Sequence, residues 1–175
     1  MTTVAASKQA QDLLDYIDAS PSPWHAVDRS IKQLAENGFE PLTENQPWQL
    51  KENGRYYVTR DGASIIAFTL GSKSIAEAGF RIVGAHTDSP GLRLKPKAAY
   101  ANKGVTQLGV EVYGGPILAT FTDRDLSIAG RVNVRDGDCF TTHLLHFTES
   151  IVRLPNLAIH MNRDVNEKGL LLNKQ

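Results

Sequence analysis

The chain has 175 residues, 41% of them hydrophobic and 22% charged, which supports a packed domain or two small ones and excludes a disordered polymer. Nineteen basic residues balance nineteen acidic ones, so the composition gives no reason to expect nucleic acid or an anionic membrane as a partner. A single cysteine, Cys139, excludes an internal disulfide framework, fits a reducing compartment and reads as an inert structural residue.

The N-terminal residues Met1 to Lys8 lack a basic start followed by an apolar core, and no later run is long enough to span a bilayer. Cytoplasm is therefore the expected compartment. From about Ala6 to Ala19 the spacing of Ala6, Ala10, Leu13, Leu14 and Ile17 predicts one apolar helical face, ended by Ser20-Pro21-Ser22-Pro23. Ser22 then caps a second helix with Pro23 at its first position. Val27, Ile31, Leu34 and Ala35 form its apolar side, Gly38 is its stop, and Trp24 and His25 read as packing and surface residues. The two helices are expected to flank a sheet.

Arg55 to Arg60 and Ala63 to Leu70 are strand-like runs joined by Asp61-Gly62, a pair favoured in tight hairpins. The apolar run Arg81-Ile82-Val83-Gly84-Ala85-His86 predicts a buried strand that Pro90 stops. On such a strand His86 and Asp88 point the same way at its C-terminal mouth, where open α/β sheets bind ligands. A neutral imidazole suits zinc, and a carboxylate two positions on can orient that ring or act on a metal-bound water. A histidine at a strand end also occurs as a hydrogen-bonded structural residue, and the pattern by itself leaves both readings open.

The character changes after Pro96. Val105 to Tyr113, Ile117 to Thr122 and Leu126 to Val134 are short alternating runs separated by turn residues, which predicts an antiparallel meander and a second domain beginning near residue 95. His143 and His146 lie in Thr141 to Phe147, where a strand puts them on opposite faces and leaves little basis for a pairwise metal site. His160 follows the apolar run Ile151 to Ile159 and, taken alone, reads as structural.

Four stretches together resemble the aspartyl-aminopeptidase-type zinc metallopeptidases, including their bacterial members of broader substrate range. They are Val83-Gly84-Ala85-His86-Thr87-Asp88-Ser89-Pro90, Val110-Glu111-Val112-Tyr113-Gly114-Gly115-Pro116, Asp123-Arg124-Asp125-Leu126-Ser127-Ile128-Ala129-Gly130-Arg131-Val132, and Leu154-Pro155-Asn156-Leu157-Ala158-Ile159-His160. The resemblance covers essentially the whole chain. It implies a cytosolic aminopeptidase with two metal ions in an α/β catalytic domain, interrupted by a β-rich inserted domain that mediates assembly into homo-oligomers. On that reading residues 1–94 are the N-terminal part of the catalytic domain and residues 95–175 are assembly domain. His86 matches the family's first zinc ligand and Asp88 its catalytic aspartate. His160 matches a histidine of the inserted domain that is either a zinc ligand or a substrate contact reaching a neighbouring subunit's site, with the substrate contact preferred. The implied reaction is hydrolysis of the peptide bond next to a free N-terminus by a water held between two zinc ions, for which cobalt or manganese can substitute.

Family members run to more than twice this length. The remaining metal ligands and the general-base glutamate match nothing in this chain, so the resemblance implies an inactive N-terminal fragment that exposes apolar surface and associates non-natively when alone. The alternative expectation is a non-catalytic assembly or regulatory module that binds full-length subunits. A serine hydrolase built on Ser89 is disfavoured because no Gly-x-Ser-x-Gly elbow is present.

Overall fold

The computed structural model describes residues 7–172. The predicted helical position Ala6 lies outside them. The chain forms two compact units, Met1–Asp88 with Ala129–His146, and Ser89–Ile128 with Phe147–Gln175.

In the first unit, helix α1 (Lys8–Asp18) is capped by the Ser7 hydroxyl, which accepts from Ala10 N at 3.3 Å. Helix α2 (Pro23–Glu36) starts as its sequence dictates, with Ser22 as N-cap and Pro23 in the first turn. Tyr16 joins the two helices, its hydroxyl donating to Ala26 O at 3.2 Å and lying 3.0 Å from Ser30 Oγ. Leu13, Leu14 and Ile17, the predicted apolar face of α1, are each half or more exposed. Helix α2 buries Ala26 and Val27 and packs on the sheet that follows.

That sheet has three strands, β1 (Glu40–Leu42), β2 (Arg55–Arg60) and β3 (Ser64–Thr69), with β2 central, parallel to β1 and antiparallel to β3. The predicted hairpin is present. Asp61 and Gly62 both hold positive φ, the left-handed conformation that Asp tolerates and Gly takes freely. Tyr56 and Val58 of β2 complete the buried apolar set, and Tyr56 packs against Phe68 with ring centroids 5.7 Å apart.

A short helix α3 (Ile75–Ala78) leads into residues 80–88. The sequence predicts a buried strand over Arg81 to His86; the structure instead places this run in irregular, exposed backbone, with Val83 98% and Ile82 85% exposed. A strand with two apolar faces needs neighbours on both sides, and among the described residues none pairs with it.

In the second unit, β4 (Gly91–Asn102) pairs antiparallel with β5 (Val105–Tyr113) through a register shift between Leu94 and Ala99. Residue 95, where the sequence changes character, lies within β4, and the compact units exchange at Asp88/Ser89, Ile128/Ala129 and His146/Phe147. Gly114 holds φ +68°, a conformation side-chain-bearing residues rarely adopt, and a Cβ there would press on Pro90 Cβ at 3.2 Å. The predicted strand Ile117 to Thr122 is a 3₁₀ turn at Leu118–Phe121, closed by Thr120 Oγ1 donating to Ile117 O at 2.7 Å.

Strand β6 (Asp125–Leu126) does not pair with its sequence neighbour; it joins β9 (Val152–Arg153). Strand β7 (Ala129–Asp136) pairs with β8 (Cys139–His146) as a hairpin that belongs to the first unit. The predicted meander is thus a set of separate two-stranded ribbons, because alternation fixes strand existence and leaves partner choice to long-range packing. Cys139 is an exposed free thiol at the start of β8. The second unit ends in a short helix α4 (Val165–Lys168).

Candidate metal-ligand pair and the His160 loop

Although the expected strand is absent, His86 and Asp88 still meet. His86 Nδ1 lies 3.0 Å from Asp88 Oδ1, with the imidazole 92% and the carboxylate 29% exposed. An ionised carboxylate only accepts, so Nδ1 is the donor in this contact, and in the neutral imidazole that leaves the lone pair on Nε2. This is the way a carboxylate fixes the tautomer and direction of a metal-binding histidine. Between them, Thr87 Oγ1 donates to Ala63 O at 2.8 Å and ties the segment to the β2–β3 turn.

That turn is itself braced. Arg131 of β7 donates from Nη1 to Asp61 O and Oδ1, both at 2.8 Å, while its guanidinium covers the Trp24 ring at 4.9 Å. The Asp61 carboxyl is held below its ordinary range, first by the hydrogen bond from Arg131 and then by its charge. On the same unit His25 lies edge-on to His146 at 5.9 Å, with His25 Nδ1 2.7 Å from Ser22 Oγ. Partial burial lowers the His25 pKa, and the positive charge that His146 can carry lowers it further. Nothing local in the sequence links His25 to His146, since their pairing depends on the β7–β8 hairpin meeting α2.

His160 belongs to the second unit, in an exposed turn closed by Met161 N donating to Ala158 O at 2.8 Å. The base of its loop is fastened by Asp123, whose two carboxylate oxygens accept from Asn156 N at 3.1 Å and Asn156 Nδ2 at 2.9 Å. Those bonds, backbone first, hold the Asp123 carboxyl below its ordinary range.

The sequence profile of peptidase M18, described as aminopeptidase I zinc metalloprotease, matches residues 16–175. The chain belongs to the M18 family. A probable M18 family aminopeptidase 2 of Stutzerimonas stutzeri is 50% identical over 165 residues, covering 94% of this chain and 38% of the relative. Among solved structures, a chain of the Ape4 and Nbr1 complex superposes with a TM-score of 0.89 at 42% identity, covering 94% of this chain and 32% of that one. The S. cerevisiae mApe1 dodecamer gives 0.80 at 30% identity, covering 87% of this chain and 36% of that one. The chain thus spans well under half the length of the relatives it matches.

The M18 family implies zinc, and catalytic zinc takes three protein ligands plus water. Among the described residues no group of three or more His, Cys, Asp or Glu is placed to share a metal ion. His86 and Asp88 alone do not make a zinc site.

Proposed function

We propose that this chain is the N-terminal section of an M18 metallo-aminopeptidase that removes N-terminal residues from peptides. The observation that carries the reading is the M18 match over residues 16–175 together with the contact between Asp88 and an exposed His86 imidazole. In this reading His86 is a metal ligand, Asp88 is the carboxylate that orients it, and His160 contacts substrate or metal from a second subunit. The metal is zinc, two ions per site, with cobalt or manganese as substitutes. Residues 1–94 serve catalysis and residues 95–175 assembly, a functional division that differs from the two compact units.

The 175-residue chain alone is inactive in this proposal, because its described residues bring no third donor to the His86–Asp88 pair. Assembly into homo-oligomers is supported by the dodecameric relative and by the many exposed apolar side chains, among them Phe80, Ile82, Val83 and Ile117 at 73% exposure or more. The same exposure favours a second reading, in which the chain is a non-catalytic module that joins complete subunits. No helix among the described residues is long and apolar enough to cross a membrane, and the proposed compartment is cytoplasm.

The test is capture of the native polypeptide from its source cells with an antibody against α2, followed by its mass, metal content and release of N-terminal residues from a peptide panel. A species more than twice 19.2 kDa that hydrolyses peptides and loses activity on chelation supports the proposal. A zinc-loaded polypeptide that leaves every peptide intact contradicts it. Activation or inhibition of a complete relative by substoichiometric chain supports the module instead.

A further inference from the structure

One exposed carboxylate, that of Asp123, holds the base of the loop that carries His160. Strands β6 and β9 align Asp125 with Arg153, and Arg153 Nη1 donates to Asp125 Oδ1 at 3.0 Å. Just before β6, Asp123 takes the left-handed conformation, φ 52°, which Asp tolerates better than most residues. Its N–H donates to Leu154 O at 2.9 Å, and its own carbonyl accepts from Arg153 Nη2 at 3.2 Å. The backbone of Asp123 therefore holds residues 153–154, while its side chain reaches two residues further.

Both carboxylate oxygens are committed to Asn156, one to the backbone N–H and one to the side-chain amide. Arg153 Nη2 stands at 3.9 Å from Oδ1, a weaker electrostatic neighbour. Two charge-assisted bonds from one residue fix direction as well as distance. After Asn156 only Leu157 to Ile159 separate the anchor from His160, and the turn Ala158 to Asn162 is closed by its own backbone bonds. An anchor at Asn156 thus sets where the imidazole starts from, and without it the loop pivots at Leu154.

We infer that Asp123 is the positioning residue for His160, fixing the Leu157–Asn162 loop through its paired hydrogen bonds to Asn156. The functional weight of this rests on the proposed role of His160 at an aminopeptidase site; the anchoring itself does not. Asp123 is exposed and buries nothing, so its effect falls on the loop and not on the packing of the second unit.

The test is hydrogen exchange by mass spectrometry on the 175-residue chain, reading fragments over residues 154–164 with the β4–β5 ribbon as internal reference. For Asp123→Ala, exchange over the loop is expected to accelerate about three- to tenfold with the ribbon unchanged, the scale of losing one ordinary net hydrogen bond at an exposed site. Asp123→Asn is expected to keep most of the protection, because its side-chain oxygen still accepts from Asn156 N–H and the two amides can pair. Asn156→Ala, which keeps the backbone bond, is expected to give a smaller acceleration in the same fragment, and serves if Asp123→Ala does not fold. Unchanged loop exchange in both alanine variants overturns the assignment, as does equal acceleration in the ribbon or an Asp123→Asn loop as fast as that of Asp123→Ala. Because exchange is read without substrate or metal, an inactive or active His160→Ala native polypeptide bears on the proposed function alone.

Discussion

Gly54→Ala would test whether the small core of the first unit is as tight as its geometry states. A Cβ at Gly54 would lie 2.5 Å from both Cε2 and Oη of Tyr56 and 2.7 Å from Cζ, against ordinary carbon contacts of about 3.5–4.0 Å. The ring must retreat by about 1 Å. It is 3% exposed and leans on Phe68, so it has no open direction to take. Its hydroxyl, which accepts from Lys51 N at 2.9 Å, would be pulled off that partner. Overpacking costs about 1–3 kcal/mol and the lost hydrogen bond about 1 kcal/mol, roughly 2–4 kcal/mol together. Read as hydrogen exchange of the β2 and β3 amides, that is an acceleration of about thirtyfold or more. In a Tyr56→Ala background the same substitution should add almost nothing, since the atoms it strikes are gone. Unaltered exchange in Gly54→Ala, or an equal increment in both backgrounds, would refute the reasoning.

The His25–His146 pair makes the first unit sensitive to mild acid. His25 has its folded pKa lowered from 6.5, so below about pH 6.5 the unfolded chain takes up a proton that the folded one resists. The stabilisation is present above that value and is lost as pH falls toward the lowered folded pKa, with Asp28 opposing the shift and Lys32 adding to it. After allowing for the intrinsic slowing of amide exchange in acid, the protection of α2 and the β7–β8 hairpin should fall as pH drops below 6.5, and His146→Gln should lessen that fall without abolishing it, since burial is the larger cause; a flat wild-type protection profile contradicts the pairing. Arg131→Met should release the β2–β3 turn from β7, raising exchange at Asp61 to Ala63 and quenching or shifting Trp24 fluorescence, because the cation leaves the ring face. An unchanged Trp24 spectrum would show that the contact is not formed in solution. The exposed Phe80 to Val83 run should make the isolated chain self-associate with rising concentration in sedimentation velocity, and a monodisperse monomer across a hundredfold range, about 1 to 100 µM, would contradict the exposure.

What could be read in the residues follows the range of the forces that decide each element. Ser22-Pro23 and Asp61-Gly62 act within a turn, so α2 and the β2–β3 hairpin are legible from local chemistry. Arg81 to His86 has strand composition, but its strand state depends on neighbours that the described residues do not supply. The β4–β5 bulge, the β6–β9 pairing and the return of β7–β8 to the first unit are choices among partners, to which alternation is blind. For the site, His86 and Asp88 were visible as a motif and do touch, through spacing that outlasts the loss of the strand. Asp123 was visible within its Asp-Arg-Asp stretch, yet nothing local tied it to Asn156, 33 residues on. His25 was assigned to packing because its partner stands on β8.

One His–Asp pair supplies too few ligands to close a catalytic zinc site. Equilibrium dialysis of the 175-residue chain against about micromolar free zinc, with metal counted per chain and peptide hydrolysis assayed on the same sample, addresses that most directly. The expected result is no stoichiometric zinc and no release of N-terminal residues. One or more zinc ions per chain, lost in His86→Ala and accompanied by hydrolysis, would contradict the claim and show a closed catalytic site within these residues.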